Sequence, residues 1–220
     1  YEIVFVDWSS DVCSSDLWHL RVAYDGTGFS GWQVQPGRRT VQGELQHRLR
    51  LLLHQPELRI VGTSRTDAGV HALDQRVSFT CPTPDGLDAD RLRYVLNRWL
   101  PADLRVLSVA AAAAEFSARF SVCGKAYTYC IDTAGVTGPL FHRFVWSTGR
   151  ALDIAAMRAA AVCLEGEHDF QSFAANPRRE LASTVRRVHR IAVADLGGLV
   201  CISVVGDRKS TRLNSSHRIR

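Results

Sequence analysis

A chain of 220 residues has room for one large domain or two small ones, and 46% hydrophobic against 22% charged residues is a globular balance, not a disordered one. No apolar run approaches the roughly 18–20 residues that cross a bilayer as a helix, so the expectation is no membrane role. A net charge of +5 leans toward an anionic partner such as nucleic acid without identifying one. The six cysteines (Cys13, Cys81, Cys123, Cys130, Cys163 and Cys201) include no CxxC pair. They read as small buried hydrophobes in a reducing cytoplasm, not as a disulfide framework or zinc site.

The two ends differ from the middle. Residues 1–17 hold four acids and no base, and residues 207–220 hold five bases and one acid, so the charges at the ends cancel and the middle carries the +5. Ser9–Leu17 and Asp207–Arg220 are serine-rich and show no helical or strand period. The first residues, YEIVFVDWSS, lack the basic stretch of a secretory signal.

Between the ends, Trp18, Leu20, Val22 and Tyr24 alternate with His19, Arg21 and Ala23, which predicts a strand. Thr40 caps a predicted helix with Val41, Leu45, Leu49, Leu52 and Leu53 on one face. Short strands are predicted over Leu58–Val61 and Gln75–Cys81. Asp88 caps a second helix with Leu92, Val95, Leu96 and Trp99 inward, stopped by Pro101, and Leu104–Val109 is a further strand. This βαββαβ order is that of the split-βαβ, ferredoxin-like arrangement.

A second α+β unit is predicted beyond the alanine run Ala110–Ala114. Lys125, Tyr127, Tyr129 and Ile131 share one face of a strand, and Arg143–Ser147 is expected to partner it. Asp153 caps a helix through Ile154, Met157, Ala161 and Leu164 that Gly166 ends. Val185–Ala194 and Leu199–Val205 form a predicted hairpin around Gly197-Gly198. The expected fold class is α+β: two ferredoxin-like or RRM-like units with mixed antiparallel sheets and helices on one face, the second incomplete. The expected domains are 18–111 and 112–206, flanked by segments 1–17 and 207–220.

The chemistry concentrates in GTSRTDAGVHA, Gly62 to Ala72, which sets the carboxylate of Asp67 between Arg65 and a turn at Gly69, with His71 two residues on. Apolar residues precede it and an alternating run follows, so it reads as a loop at a strand end. YDGTGFSGWQVQP (Tyr24 to Pro36) lies before it and ARFSVCGKAYTYCI (Ala118 to Ile131) after it. Three aromatics and three glycines in the earlier stretch suit either base stacking or a turn whose rings plug the domain edge; for Trp32 the structural reading is preferred. No Gly-rich phosphate loop, dinucleotide fingerprint or metal cluster is present, and His168 and Asp169 have no second histidine at ligand spacing.

Together the three stretches resemble the tRNA pseudouridine synthase A family, over about Trp18 to Gly206. The resemblance implies isomerisation of uridine to pseudouridine in the anticodon arm of tRNA, at positions 38 to 40, by a homodimer that needs neither cofactor nor metal. It implies Asp67 as the catalytic carboxylate, Arg65 helping to admit a flipped nucleotide, and Tyr127 packing on the target uracil. His71 either lines the same pocket or is structural. Arg119 and Lys125 are phosphate contacts or solvated surface. Neither end segment matches the family, whose members continue past the last hairpin into a helix with an arginine that pairs with the aspartate. On that reading residues 1–220 are catalytically weak or dead, and the alternative is an inactive RNA-binding fragment of such an enzyme.

Overall fold

A computed structural model of the chain describes residues 17–82, 86–173 and 183–207, together with the backbone of 2–5. Ser9–Ser15 and Arg208–Arg220, most of the two serine-rich segments, lie outside the described residues. The chain divides into two compact units, the first from Glu2 to Val122 and the second from Cys123 onward.

The first unit contains β1 (Glu2–Phe5), β2 (Leu17–Tyr24), α1 (Val41–Leu52), β3 (Val61–Gly62), β4 (Ala72–Thr80), α2 (Ala89–Trp99) and β5 (Leu104–Ala111). β2 lies between β4 and β5 and is antiparallel to both. On the far edge of β4, β3 pairs antiparallel at Val77 and Ser78, and β1 pairs parallel at Ala72 and Asp74. The βαββαβ order is therefore present, with a short second inner strand and an additional strand from the N-terminal segment. Glu-Ile-Val-Phe suits a pleated strand, and the Ala72 end of β4 extends beyond the reach of β3. The predicted strand over Leu58–Val61 shrinks to Val61–Gly62, because side chains of α1 take the backbone groups before it: Arg50 donates to the Leu58 carbonyl, Gln42 donates to the Ile60 carbonyl and Gln46 accepts the Ile60 N–H.

The helices form where the caps predict. The Thr40 hydroxyl accepts from the Gly43 N–H at 3.3 Å, and the Asp88 carboxylate accepts from the Arg91 N–H at 2.7 Å. Val41, Leu45 and Leu49 of α1 and Leu92 and Leu96 of α2 are fully buried. They pack with Leu20, Val22, Val77 and Leu104 of the sheet in one contiguous core. Asn97 ties α2 to β5, donating to the Val106 carbonyl at 2.8 Å and accepting the Val106 N–H at 2.9 Å. Trp99, expected inward, is 46% exposed, and Leu100 is buried in its place. The inward row advances in steps of four from Leu92 through Leu96, which brings position 100 to the sheet.

The opposite face of β2 and β4 is charged. Arg21 donates from Nε and Nη2 to Asp74 at 3.1 and 2.9 Å, and Arg76 Nη2 reaches the same carboxylate at 3.1 Å. His19 is buried beside them, its ring 4.9 Å from that of Phe116. Burial lowers its pKa to about 4, helped by Arg76 and Arg21 and opposed by Asp74.

The second unit contains β6 (Gly124–Asp132), β7 (Trp146–Ser147), α3 (Ile154–Val162), β8 (Gly166–Asp169), β9 (Val185–Asp195) and β10 (Leu199–Asp207). β10 pairs antiparallel with both β6 and β9, and β8 continues the sheet beyond β9. The expected partner of β6, Arg143–Ser147, supplies only a two-residue parallel bridge at Trp146 and Ser147, while β10 makes the long ladder. Along β9 and β10 only Val188, Val200 and Gly206 are buried, and Ile191, Val193, Ile202 and Val204 are half-buried. The cysteines depart from the sequence reading: Cys81 is buried, Cys130 and Cys201 are half-buried, and Cys123 and Cys163 are exposed. Cys123 precedes a strand and Cys163 follows a helix, where the chain meets solvent. Cys13 lies outside the described residues.

His19 makes stability depend on acid. Its folded pKa is depressed, so the unfolded chain binds the proton first as pH falls below about 6.5. The stabilisation is complete above that value and disappears toward pH 4. Between pH 7 and pH 5 this site should remove roughly 1–2 kcal/mol. Urea unfolding at both pH values checks this: His19→Asn should show a shallower loss than the unsubstituted chain, and equal slopes would remove His19 as the source.

Candidate active site

The loop between β3 and β4 crosses the end of the first unit's sheet, and its backbone is fixed at both sides of Asp67. Thr63 begins it, donating its N–H to the Arg76 carbonyl at 3.0 Å. Gln75, fully buried in β4, donates from Nε2 to the Ser64 carbonyl at 2.9 Å. Thr66 is buried and held twice. Its carbonyl accepts the Trp32 N–H at 3.0 Å, and its hydroxyl lies 2.8 Å from the Tyr24 hydroxyl. Beyond Asp67 the chain turns, with the Val70 N–H donating to the Asp67 carbonyl at 3.2 Å and the Gly69 N–H to the Phe29 carbonyl at 3.4 Å.

The segment between β2 and α1 forms the other half of this arrangement. Tyr24, Phe29 and Trp32 are all buried, with Tyr24 6.5 Å from Phe29 and 6.2 Å from Trp32 between ring centroids. These rings plug the sheet end; none of the three is open for base stacking. Gly31 is required for two reasons. Its φ is +91°, and a Cβ there would lie 2.8 Å from the Thr66 carbonyl oxygen and 3.2 Å from the Asp67 carbonyl carbon. At Gly26 a Cβ would overlap the Val70 carbonyl. Backbone therefore packs directly on backbone around Asp67.

Within this frame Asp67 and Arg65 are exposed, on either side of the buried Thr66. The protein around Asp67 raises its carboxyl pKa above the usual aspartate range through partial desolvation. His71 is half-buried and fastened to the neighbouring turn. Its Nδ1 lies 3.1 Å from the Gly26 N–H nitrogen and 3.1 Å from Asp25 Oδ1. One nitrogen cannot accept from Gly26 and donate to Asp25 together: the unprotonated atom takes the Gly26 hydrogen, and the protonated atom gives its own to Asp25. In both forms His71 anchors the end of the loop to the 25–26 turn.

The remaining predicted residues lie elsewhere. Arg119 is in the first unit, on the segment after β5, where the Ala118 N–H donates to Ser78 Oγ at 3.1 Å. It is exposed, its guanidinium 5.2 Å from the centroid of Phe120. Lys125 and Tyr127 are in the second unit, on β6 opposite Gly206 and Val204 of β10. Lys125 is buried, so the solvated-surface reading does not hold for it, and Tyr127 is half-buried. Asp67, Arg65 and His71 thus come together on one loop, whereas Lys125 and Tyr127 belong to a separate compact unit.

Sequence reasoning did not single out Tyr24 and Thr66 as the pair that holds the loop. The available signal was a tyrosine at a strand end and a threonine beside the key aspartate, but nothing in the spacing joins positions 24 and 66. Among the described residues no three His, Cys, Asp or Glu side chains cluster as metal ligands, and no helix is long and apolar enough to cross a membrane.

Comparison with known proteins places these features in one lineage. The family model described as tRNA pseudouridine synthase matches residues 21–121 and 160–209, which include the Asp67 loop and the segment that clamps it. The tRNA pseudouridine synthase A of Brevibacillus brevis is 40% identical over 186 residues, covering 84% of this chain and 75% of that protein. The protein of the same name from Halalkalibacterium halodurans is 39% identical over 188 residues, covering 86% and 70%. The tRNA pseudouridine synthase A 1 of Protochlamydia amoebophila is 35% identical over 190 residues, covering 86% and 73%. The chain belongs to the tRNA pseudouridine synthase family, isomerases that convert uridine to pseudouridine in tRNA.

Proposed function

We propose that this chain isomerises uridine to pseudouridine in the anticodon arm of tRNA, at positions 38 to 40, with Asp67 as the catalytic carboxylate. The observation that carries the reading is an exposed aspartate on a loop whose backbone is hydrogen-bonded on both sides of it and whose preceding residue, Thr66, is buried. The reaction breaks the bond from C1′ to N1 of uracil, turns the base, joins C1′ to C5, releases the C5 proton and leaves N1 to take up a proton. Substrate and product are isomers, so the chemistry needs no redox partner or group donor. A carboxylate assists by forming a covalent intermediate or by promoting the loss of the base. The partial desolvation that raises the Asp67 pKa also leaves its ionised form less stabilised by water.

A uridine inside a folded anticodon arm must leave the stack to reach that carboxylate. Arg65, exposed two residues away, supplies a planar cation to fill the gap or pair with a phosphate. Tyr127 holds the extruded uracil by its ring face. Arg119 contacts the tRNA backbone; Lys125, two residues before Tyr127 on β6, is buried and gives no open surface contact. The working form is a cytoplasmic homodimer that uses neither cofactor nor metal. The exposed Leu140, Phe141 and Trp146 give the second unit apolar surface for a subunit contact.

Asp67→Asn should abolish turnover and leave tRNA affinity within a few fold. Tritium release from 5-tritiated uridine in tRNA, read beside a filter-binding isotherm, checks this; near-normal release would refute the role of Asp67. The same substitution should leave stability at neutral pH unchanged or slightly improved. A raised folded pKa means that ionised Asp67 opposes folding, and that cost disappears as pH falls below the ordinary carboxylate range. Urea midpoints at pH 7 and pH 3.5 report the sign.

Binding should weaken steeply with added salt as counterions return to the phosphates. Arg65→Ala should reduce turnover more than affinity. A salt-insensitive affinity, or an Arg65→Ala rate equal to that of the unsubstituted chain, would contradict these assignments.

A further inference from the structure

We propose that Tyr24 is a positioning residue for the reaction: its buried hydroxyl, bonded to that of Thr66, fixes the backbone from which the Asp67 carboxylate projects. The inference rests on the reading of Asp67 as the catalytic group.

Tyr24 ends β2, is 4% exposed, and packs on Phe29 and Trp32. Phenylalanine would supply the same ring to the same core. The hydroxyl adds a polar atom at a buried position, which is unfavourable unless it is bonded. Its oxygen lies 2.8 Å from Thr66 Oγ1, and Thr66 is itself buried and immediately precedes Asp67. The Trp32 N–H takes the Thr66 carbonyl at 3.0 Å. Side chain and main chain of one residue are therefore gripped by the end of β2 and by the connection that follows it, and Gly31 of that connection lies against the Thr66 and Asp67 backbone with no space for a Cβ.

The consequence is directional. Asp67 is exposed and no protein hydrogen bond to its carboxylate is among the described contacts, so its aim comes from the backbone. With the hydroxyl pair removed, Thr66 keeps one of its two attachments and the loop gains freedom about the Trp32 bond. A displacement of about 1 Å in a reacting group costs roughly 100-fold in rate. Binding of the tRNA body, spread over many phosphate contacts, is far less sensitive to such a shift. Tyr24 thus affects the chemical step and leaves affinity nearly unchanged.

The test uses the 220-residue chain with Tyr24→Phe, Thr66→Val and Thr66→Ser. The first two remove one hydroxyl each from opposite sides, so a folding failure in one leaves the other informative. Both should lower the single-turnover rate of tritium release roughly ten- to 100-fold, with tRNA affinity within about twofold. The double variant should be no slower than the worse single variant, and Thr66→Ser, which keeps the oxygen, should recover most of the rate. Amide exchange gives a second measure that needs no turnover: the Trp32 amide should exchange faster in Tyr24→Phe, while Leu20 and Val77 in the core strands keep their protection. An unchanged rate, an unchanged Trp32 amide, or a rate loss matched by an equal loss of affinity would overturn the inference. Full release by Asp67→Asn would instead defeat the reading of Asp67, whereas absence of release by the unsubstituted chain would match the weak activity expected without the arginine helix and leave the rates uninformative. The Trp32 amide then decides the positioning claim alone, faster exchange supporting it and unchanged exchange rejecting it.

Discussion

The double attachment of Thr66 is the constraint on which the candidate site depends. A loop that must present a carboxylate to solvent cannot hold it by burying it, so the neighbouring residue is buried instead. Thr66 has a partner for its hydroxyl in Tyr24, the last residue of β2, and one for its carbonyl in Trp32, in the segment that follows. Three buried aromatic rings keep that segment in place, and their burial belongs to the same core that holds α1 and α2 against the sheet. The stability of the first unit and the aim of Asp67 are thus consequences of one packing arrangement.

Charge is distributed with similar economy. On the face of the sheet away from the helices, two arginines share the Asp74 carboxylate, leaving a net positive group next to a histidine that burial keeps neutral. Asp67 lies apart from this network, and among the described residues no acidic or basic partner shifts it; desolvation raises its pKa. A carboxylate intended only for an ion pair would show the opposite direction, as Asp103 does beside Arg39. The contrast separates a structural aspartate from one left available for chemistry.

Much of the first unit was legible because its signals are local. Thr40 and Asp88 each stand at a helix start, and the leucine spacing behind them selects one face. Trp99 was misread because it stands at helical spacing from Leu92, Val95 and Leu96, whereas the four-residue stride assigns Leu100 to the core. The less legible elements depend on pairing. β8 is Gly-Glu-His-Asp, with no apolar alternation, and is a strand only because β9 lies alongside it. β3 is reduced to two residues because side chains of α1 take the backbone groups of Leu58 and Ile60. The Asp67 loop itself was conspicuous in sequence as a loop at a strand end. The hydroxyl pair that supports it was not, because it joins residues 42 positions apart through atoms that leave no periodic trace.

The central claim is that this chain makes pseudouridine, and it is tested most directly by mapping the product. Unmodified tRNA incubated with the protein, treated with a carbodiimide that marks pseudouridine and read by primer extension, should show new stops at uridines 38 to 40 of the anticodon arm. Extension through the anticodon arm without new stops, or stops confined to another part of the tRNA, would contradict the account.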